Sequence, residues 1–241
     1  MTTTRRAPRS RSSETMRIEL LDEVNSTNEY IKRYLPHGED VIVCARRQTQ
    51  GQGTKNRSFL SLDGGVYLTA LNFYADLPVA DAFKIMAHAA VAVCRTAEGF
   101  GVGPEIKWAN DVLAGGKKLC GILIQNGLRD GRVVYSIVGI GVNACNDVSA
   151  VGGIATTLTE QVGKHISAEE ARERLIEEYR RPSSFEEYLS YVKFLGKTVR
   201  VIEGEAVYEA VASRILADGR LEIDIKGQKR VLSSAEIGII L

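Results

Sequence analysis

Glu105-Ile106-Lys107-Trp108-Ala109-Asn110-Asp111-Val112-Leu113 and Leu119-Cys120-Gly121-Ile122-Leu123-Ile124-Gln125 are two β-rich runs, with Ala114-Gly115-Gly116 and the pair Lys117-Lys118 between them. Small residues where the backbone must visit positive φ predict a hairpin, with Asp111 and Lys118 on neighbouring strands. A carboxylate, an amide (Asn110) and an ammonium held together on a rigid sheet suit the orientation of an anionic substrate and the neutralisation of charge appearing on it. A solvated surface hairpin with an exposed lysine pair is the competing reading, and the hairpin alone does not decide.

Upstream, the apolar run Val41-Ile42-Val43-Cys44-Ala45 reads as a buried strand feeding Gly51-Gln52-Gly53-Thr54-Lys55-Asn56-Arg57. Glycines let backbone N–H groups approach phosphate oxygens, and Lys55 and Arg57 add positive charge. The loop lacks the third glycine of a dinucleotide fingerprint and the Gly-Lys-Ser/Thr ending of a P-loop, so neither of those nucleotide folds is supported.

Strands and helices alternate from Met16. Ser26 and Glu29 have the spacing of a capping box for a helix with Tyr30, Ile31, Tyr34 and Leu35 on one face, stopped by Pro36. Val66 to Tyr74 alternates as a strand, Val79 to Glu98 reads as a long apolar helix, and Arg132 to Ala144 as a buried strand. Ser167/Glu170 and Ser183/Glu186 predict two further capped helices with Pro182 between them. After Gly196 come short strands at 198–201, 206–216, 221–225 and 230–232, broken by Glu203-Gly204, Asp218-Gly219 and Lys226-Gly227-Gln228, which predict a small all-β barrel or sandwich. Gly139 and Gly141 stand two apart on a strand, so both face one side of the sheet and leave a trough there, for a ligand or for a close-packed helix.

The 241 residues, 44% hydrophobic, suffice for one sizeable core and a small second domain. A net charge of +1 gives no case for a nucleic-acid or polybasic membrane binder. No apolar run approaches the roughly 20 residues that span a bilayer, and no signal-peptide core is visible, so a soluble, cytoplasmic protein is expected. Cys44, Cys94, Cys120 and Cys145 are scattered in apolar runs and His37, His88 and His165 are equally dispersed, which favours reduced buried thiols and neither a metal centre nor a hydrolase triad. Residues 1–15 carry Arg5, Arg6, Arg9 and Arg11 among Ser, Thr and Pro and are expected to be a disordered tail.

In order along the chain stand Ser26-Thr27-Asn28, Gln48, the loop Gly51 to Phe59, Gly64-Gly65-Val66-Tyr67-Leu68, Lys107 to Asp111, Lys118 to Leu123, Gly139-Ile140-Gly141-Val142-Asn143 and Ala155-Thr156-Thr157-Leu158. In this ordered set the chain resembles biotin protein ligases, which adenylate biotin and transfer it to a carrier lysine. The resemblance implies an α/β fold, a mixed sheet with helices of the class II synthetase-like type, over residues 16–192, and an SH3-like β-barrel over 193–241. No room precedes Met16 for the DNA-binding domain that some members carry, so a repressor role is not expected. The substrates implied are biotin and ATP with Mg²⁺, the protein partner is a biotin carboxyl carrier domain, and a homodimer is allowed.

The resemblance also implies roles for particular residues. Ser26, Thr27, Asn28, Gln48, Gly51, Gly121, Gly139 and Gly141 would bind biotin; hydroxyl and amide groups are apt partners for a neutral ureido ring. Lys118 would bridge biotin's carboxylate and the α-phosphate, Arg57 and Lys55 would add cations, and Asp111 would orient or deprotonate the attacking amine. Phe59, Asn110 and Asn143 would join Lys55 and Arg57 around ATP, with Phe59, Trp108 and Gly121 acting as walls. The chain departs from the family where the loop usually reads Gly-Arg-Gly-Arg-x-Gly-Arg-x-Trp: here two arginines, one glycine and the tryptophan are missing, and Ala109 replaces the usual proline. Those departures leave open a paralogue that binds without turnover; a ligase for a related acyl group such as lipoate is the third alternative.

Overall fold

A computed structural model describes residues 16–54, 57–233 and 236–239, with side chains described through 233. The arginine-rich stretch before Met16 and the site candidate Lys55 lie outside the described residues.

The chain runs β1 (Arg17–Val24), α1 (Thr27–Tyr30), a 3₁₀ segment (Ile31–His37), β2 (Val41–Gln48), β3 (Gly65–Pro78), α2 (Phe83–Glu98), β4 (Pro104–Lys107), β5 (Asp111–Ala114), β6 (Lys117–Arg129), β7 (Arg132–Asn143), α3 (Leu158–Val162), α4 (Ala168–Arg180), α5 (Phe185–Ser190), β8 (Thr198–Glu203), β9 (Ala206–Ile215), β10 (Leu221–Ile225), β11 (Gln228–Leu232) and β12 (Glu236–Ile239). Strands β1 to β7 form one mixed sheet in the order β1-β2-β3-β7-β6-β5-β4. Only β1 and β2 pair in parallel, as the helical crossover between them requires; the other pairs are antiparallel.

Alternation along the central strands divides the sheet into two faces. Leu68, Ala70, Ile122, Val138, Ile140 and Val142 join the main core, where α2 and α4 pack. In α2 the buried stripe is rich in small residues (Ala87, Ala89, Ala90, Ala97), which lets the helix sit close to the strands. The opposite face carries a smaller apolar cluster of Ile31, Tyr34, Val41, Val43, Leu71 and Ile137 under α1, and beside it the glycine-rich strands remain open.

Several sequence expectations change in detail. Residues 105–113 are two strands turning through Trp108-Ala109-Asn110, so that β4, β5 and β6 form a meander. The β5–β6 turn is as read: Gly115 (φ 55°) and Gly116 (φ 74°) both occupy the left-handed region that a two-residue hairpin demands. Ser26 is the N-cap of α1, yet its side chain makes no capping bond; the helix passes into 3₁₀ geometry after one turn and accommodates Pro36 inside that segment. The long helix begins at Phe83, because Val79–Asp81 forms a separate 3₁₀ turn. The Ser167/Glu170 capping box is present, whereas α5 is capped by Ser184 through the Glu187 N–H, one residue beyond the expected pair. Thr157 and Glu160 add a capping box that had not been anticipated.

The C-terminal strands form a five-stranded antiparallel sheet ordered β11-β10-β9-β8-β12. Closure into a barrel, expected from the resemblance, is not seen among the described residues: β11 and β12 end the order without pairing to each other, so the sheet is open. It shares the main core through Val199, Val201, Ala212, Ile215, Leu221 and Ile223. Trp108 Nε1 donates to the Gly219 carbonyl at 2.7 Å, pinning the β9–β10 turn to the β4–β5 turn.

Candidate active site

The open face of the sheet is built by register. Across three strands Gly121 stands opposite Gly141, and Gly141 opposite Tyr67; one pleat further on, Leu123 stands opposite Gly139, and Gly139 opposite Thr69. A methyl group at Gly141 would lie 2.5 Å from the Phe59 ring, one at Gly121 3.0 Å from it, and one at Gly139 would collide with the Asn28 side chain. The missing side chains thus make the trough anticipated from the spacing of Gly139 and Gly141, and the Phe59 ring and the Asn28 side chain of α1 lie over it.

A β-bulge brings the cation to this face. Val112 pairs with Cys120 but Leu113 pairs with Lys118, leaving Leu119 as the extra residue. Lys118 and Gly121 are three apart and would ordinarily point to opposite faces; the bulge restores them to one. The extra turn of backbone is held by the 154–156 segment, where Lys118 N donates to Ile154 O and Thr156 N donates to Lys118 O, both at 2.9 Å. Asp111, opposite Gly121, accepts from Lys118 Nζ at 2.8 Å. Asn110 donates through Nδ2 to Asp111 Oδ1 at 3.3 Å and to the Ile122 carbonyl at 3.2 Å. Asn143 Nδ2 reaches the Lys118 carbonyl at 3.5 Å, and Asn146 donates to Asn143 Oδ1 at 3.1 Å.

At the other end of the trough lies an uncharged polar cluster. Gln48 Oε1 accepts from Thr27 N at 2.8 Å, and Gln48 Nε2 donates to Ser61 Oγ at 2.9 Å, which donates to the Phe59 carbonyl at 2.9 Å. The loop from Gly51 to Phe59 closes on itself, with Gly53 N donating to Arg57 O at 2.7 Å and Phe59 N to Gly51 O at 2.9 Å. Gly51 sits where a side chain would strike Phe59 O and Ser61 Oγ, which explains glycine at that bend. With the Phe59 ring lying in it, the inner trough retains about 40 Å³. Beyond Lys118 it opens into a cleft of about 500 Å³ bounded by Arg57, Trp108, Asn110, Asn143 and Val151.

Burial pushes the Cys44 thiol up to about 12 and raises Cys94 and Cys120 as well. These cysteines are free thiols within the core, as the sequence suggested, and Cys145 is half-buried. Among the described residues no three His, Cys, Asp or Glu side chains group as metal ligands.

A family profile described as the biotin/lipoate A/B protein ligase family matches residues 20–143, more than half of the chain. The chain belongs to this ligase family. The bifunctional ligase/repressor BirA of Bacillus subtilis (strain 168) is 35% identical to it over 133 residues, covering 53% of this chain and 41% of that protein. The chain therefore spans less than half the length of BirA. A biotin–[acetyl-CoA-carboxylase] ligase of Mycobacterium tuberculosis is 25% identical over 238 residues, covering 91% of this chain and 88% of its own. The solved biotin protein ligase from Aquifex aeolicus in complex with biotin and ATP superposes with a TM-score of 0.70 at 25% identity, covering 93% and 98% of the two chains.

In this biotin/lipoate ligase family member the fold brings nearly all the sequence candidates to one face. Ser26, Thr27, Asn28, Gln48, Gly121, Gly139 and Gly141 line the inner trough; Arg57, Asp111 and Asn143 line the outer cleft; Phe59, Asn110 and Lys118 touch both. Gly51 shapes the loop's base from beneath. Sequence reasoning missed Ser61, Thr69 and Asn146. Thr69 is the lone aliphatic hydroxyl in the largely apolar strand Val66-Tyr67-Leu68-Thr69-Ala70-Leu71, and that polar interruption was the available signal.

Proposed function

We propose that this chain is an ATP-dependent biotin protein ligase, forming biotinyl-5′-AMP and transferring biotin to a lysine of a carrier domain. The observation that carries the proposal is the pairing of a side-chain-free trough, capped by neutral donors and acceptors, with a lysine–aspartate pair at the threshold of a nucleotide-sized cleft. The ureido ring enters against Thr27, Asn28 and Gln48, and the valeryl chain runs along Gly121 and Gly141 toward Lys118. There a carboxylate oxygen attacks the α-phosphorus of ATP, the bond to the bridging oxygen breaks, and pyrophosphate leaves. Two anions must meet, and the Lys118 ammonium, steadied by Asp111, lowers the cost by standing between them. Arg57 offers a further cation at the cleft's edge. In the second step the carrier lysine's neutral amine attacks the acyl carbon, and AMP leaves. Asp111 is placed to orient that amine or to accept its proton.

Mg²⁺ reaches such a site on the phosphates of ATP. Asp111, the carboxylate at the cleft, is already engaged by Lys118, so this side-chain set is not a metal cage and no step here runs through the ion. We read residues 193–241 as a second unit related to SH3-like domains, because its five strands are antiparallel and β8 to β11 follow one another through short connections.

The test is biotin-dependent exchange of pyrophosphate into ATP, followed by transfer of labelled biotin to an acceptor carrier domain. A second reading, binding without turnover, draws support from Gln52 and Thr54 at loop positions where the family carries arginine; biotin binding by calorimetry with no exchange would establish it. A lipoate ligase is less well supported, since a dithiolane leaves the amide and hydroxyl groups at the trough's end unpaired.

A further inference from the structure

Thr69 lies on β3 directly opposite Gly139 and is fully buried. Its hydroxyl oxygen is 2.7 Å from Asn28 Oδ1 and 2.8 Å from Thr27 Oγ1. Asn28 is only 5% exposed and lines the trough, and its Nδ2 has no hydrogen-bond partner. A buried amide nitrogen left unpaired costs free energy unless something supplies an acceptor.

Proton counting narrows the arrangement. A hydroxyl has one hydrogen, so Thr69 donates to one of its two neighbours. The 2.7 Å separation from Asn28 Oδ1 is the ordinary length of an O–H···O bond. Thr27 Oγ1 is the other acceptor at 2.8 Å, and it donates its own hydrogen to Gln48 Oε1 at 3.0 Å, which also accepts from the Thr27 backbone N–H. With Asn28 Oδ1 accepting from Thr69, Nδ2 is the amide atom turned toward the trough.

We infer that Thr69 is a positioning residue for the head-group pocket: without touching the ligand, its hydroxyl fixes the Asn28 amide so that Nδ2 donates to an acceptor atom on the ligand's ring. The inference rests on the reading of the trough as the biotin site. It also assigns selectivity, since a head group offering only donors or only hydrocarbon at that point leaves Nδ2 unpaired.

The test uses the full chain and calorimetric biotin binding, with pyrophosphate exchange at saturating biotin as the second readout. Thr69→Val keeps the shape and removes the hydroxyl; it should weaken biotin binding about tenfold, raise the KM for biotin in parallel and leave kcat within about twofold. Thr69→Ser should restore binding. Asn28→Asp replaces the donor by an acceptor and should abolish measurable binding, and it carries the test should Thr69→Val fail to fold. Wild-type affinity in Thr69→Val, no rescue by serine, or retained affinity in Asn28→Asp would each overturn the inference. Wild-type protein that does not bind biotin would overturn the reading of the site along with it, whereas a binding wild type with an indifferent Thr69→Val overturns this inference alone.

Discussion

Lys118 is held by one strong contact, the Asp111 carboxylate at 2.8 Å, and remains a third exposed toward the trough. Its charge matters most when carboxylate and phosphate approach, so Lys118→Ala should lower pyrophosphate exchange by about 10²–10³-fold while changing biotin affinity little. Equal losses in exchange and in calorimetric affinity would contradict that role. Gly141 makes the opposite case, in which absence of a side chain is the function. Gly141→Ala puts a methyl 2.5 Å from the Phe59 ring. That ring must already move aside for a ligand, because about 40 Å³ remains beneath it whereas a cavity of about 150 Å³ is needed for one benzene ring. The substitution should therefore cut biotin binding far more than thermal stability, and a variant that binds like the wild type would remove the trough from the account.

The loop from Gly51 to Phe59 is where the chain departs from the family pattern it resembles. Gln52 and Thr54 line the inner trough and neither brings charge. If each missing arginine would have made a charged hydrogen bond to the adenylate, its loss weakens retention roughly tenfold to a hundredfold, and a weakly held mixed anhydride escapes to acylate bystander amines. The double substitution Gln52→Arg, Thr54→Arg should slow dissociation of pre-formed adenylate; equal rates would mean that the departure is silent. Elements of this kind were readable because hairpin turns, glycine pairs and alternating strands obey local rules. The bulge at Leu119 was not, since it exists through the hydrogen bonds Lys118 makes with Ile154 and Thr156, far along the chain. Ser26 looked like a cap because the spacing to Glu29 was right, yet the helix it opens relaxes into 3₁₀ geometry after one turn. Thr69 and Ser61 escaped notice because their value lies in what they hold across the sheet.

At the scale of the whole molecule, the packing of α2 against α4 and α5 half-buries His88, with Nε2 donating to the Tyr179 carbonyl at 2.8 Å and Nδ1 accepting from Ser183 at 2.9 Å. Burial, reinforced by nearby Arg95 and opposed by the Tyr179 bond and Glu187, holds its pKa below the ordinary 6.5. The unfolded chain thus binds this proton first, so stability is full above about pH 7 and falls as pH drops below 6.5 toward the depressed folded value. Melting temperature should decline less steeply between pH 7.5 and 5 in His88→Gln than in wild type; parallel slopes would count against it. The same scale gives the indole bond from Trp108 to Gly219 a use of its own. Trp108 is the sole tryptophan in the sequence, it lines the outer cleft, and its ring nitrogen is tied to the C-terminal sheet. The molecule therefore carries an intrinsic optical gauge: ultraviolet emission from one unlabelled indole reports both the filling of the cleft and any undocking of that sheet, in real time.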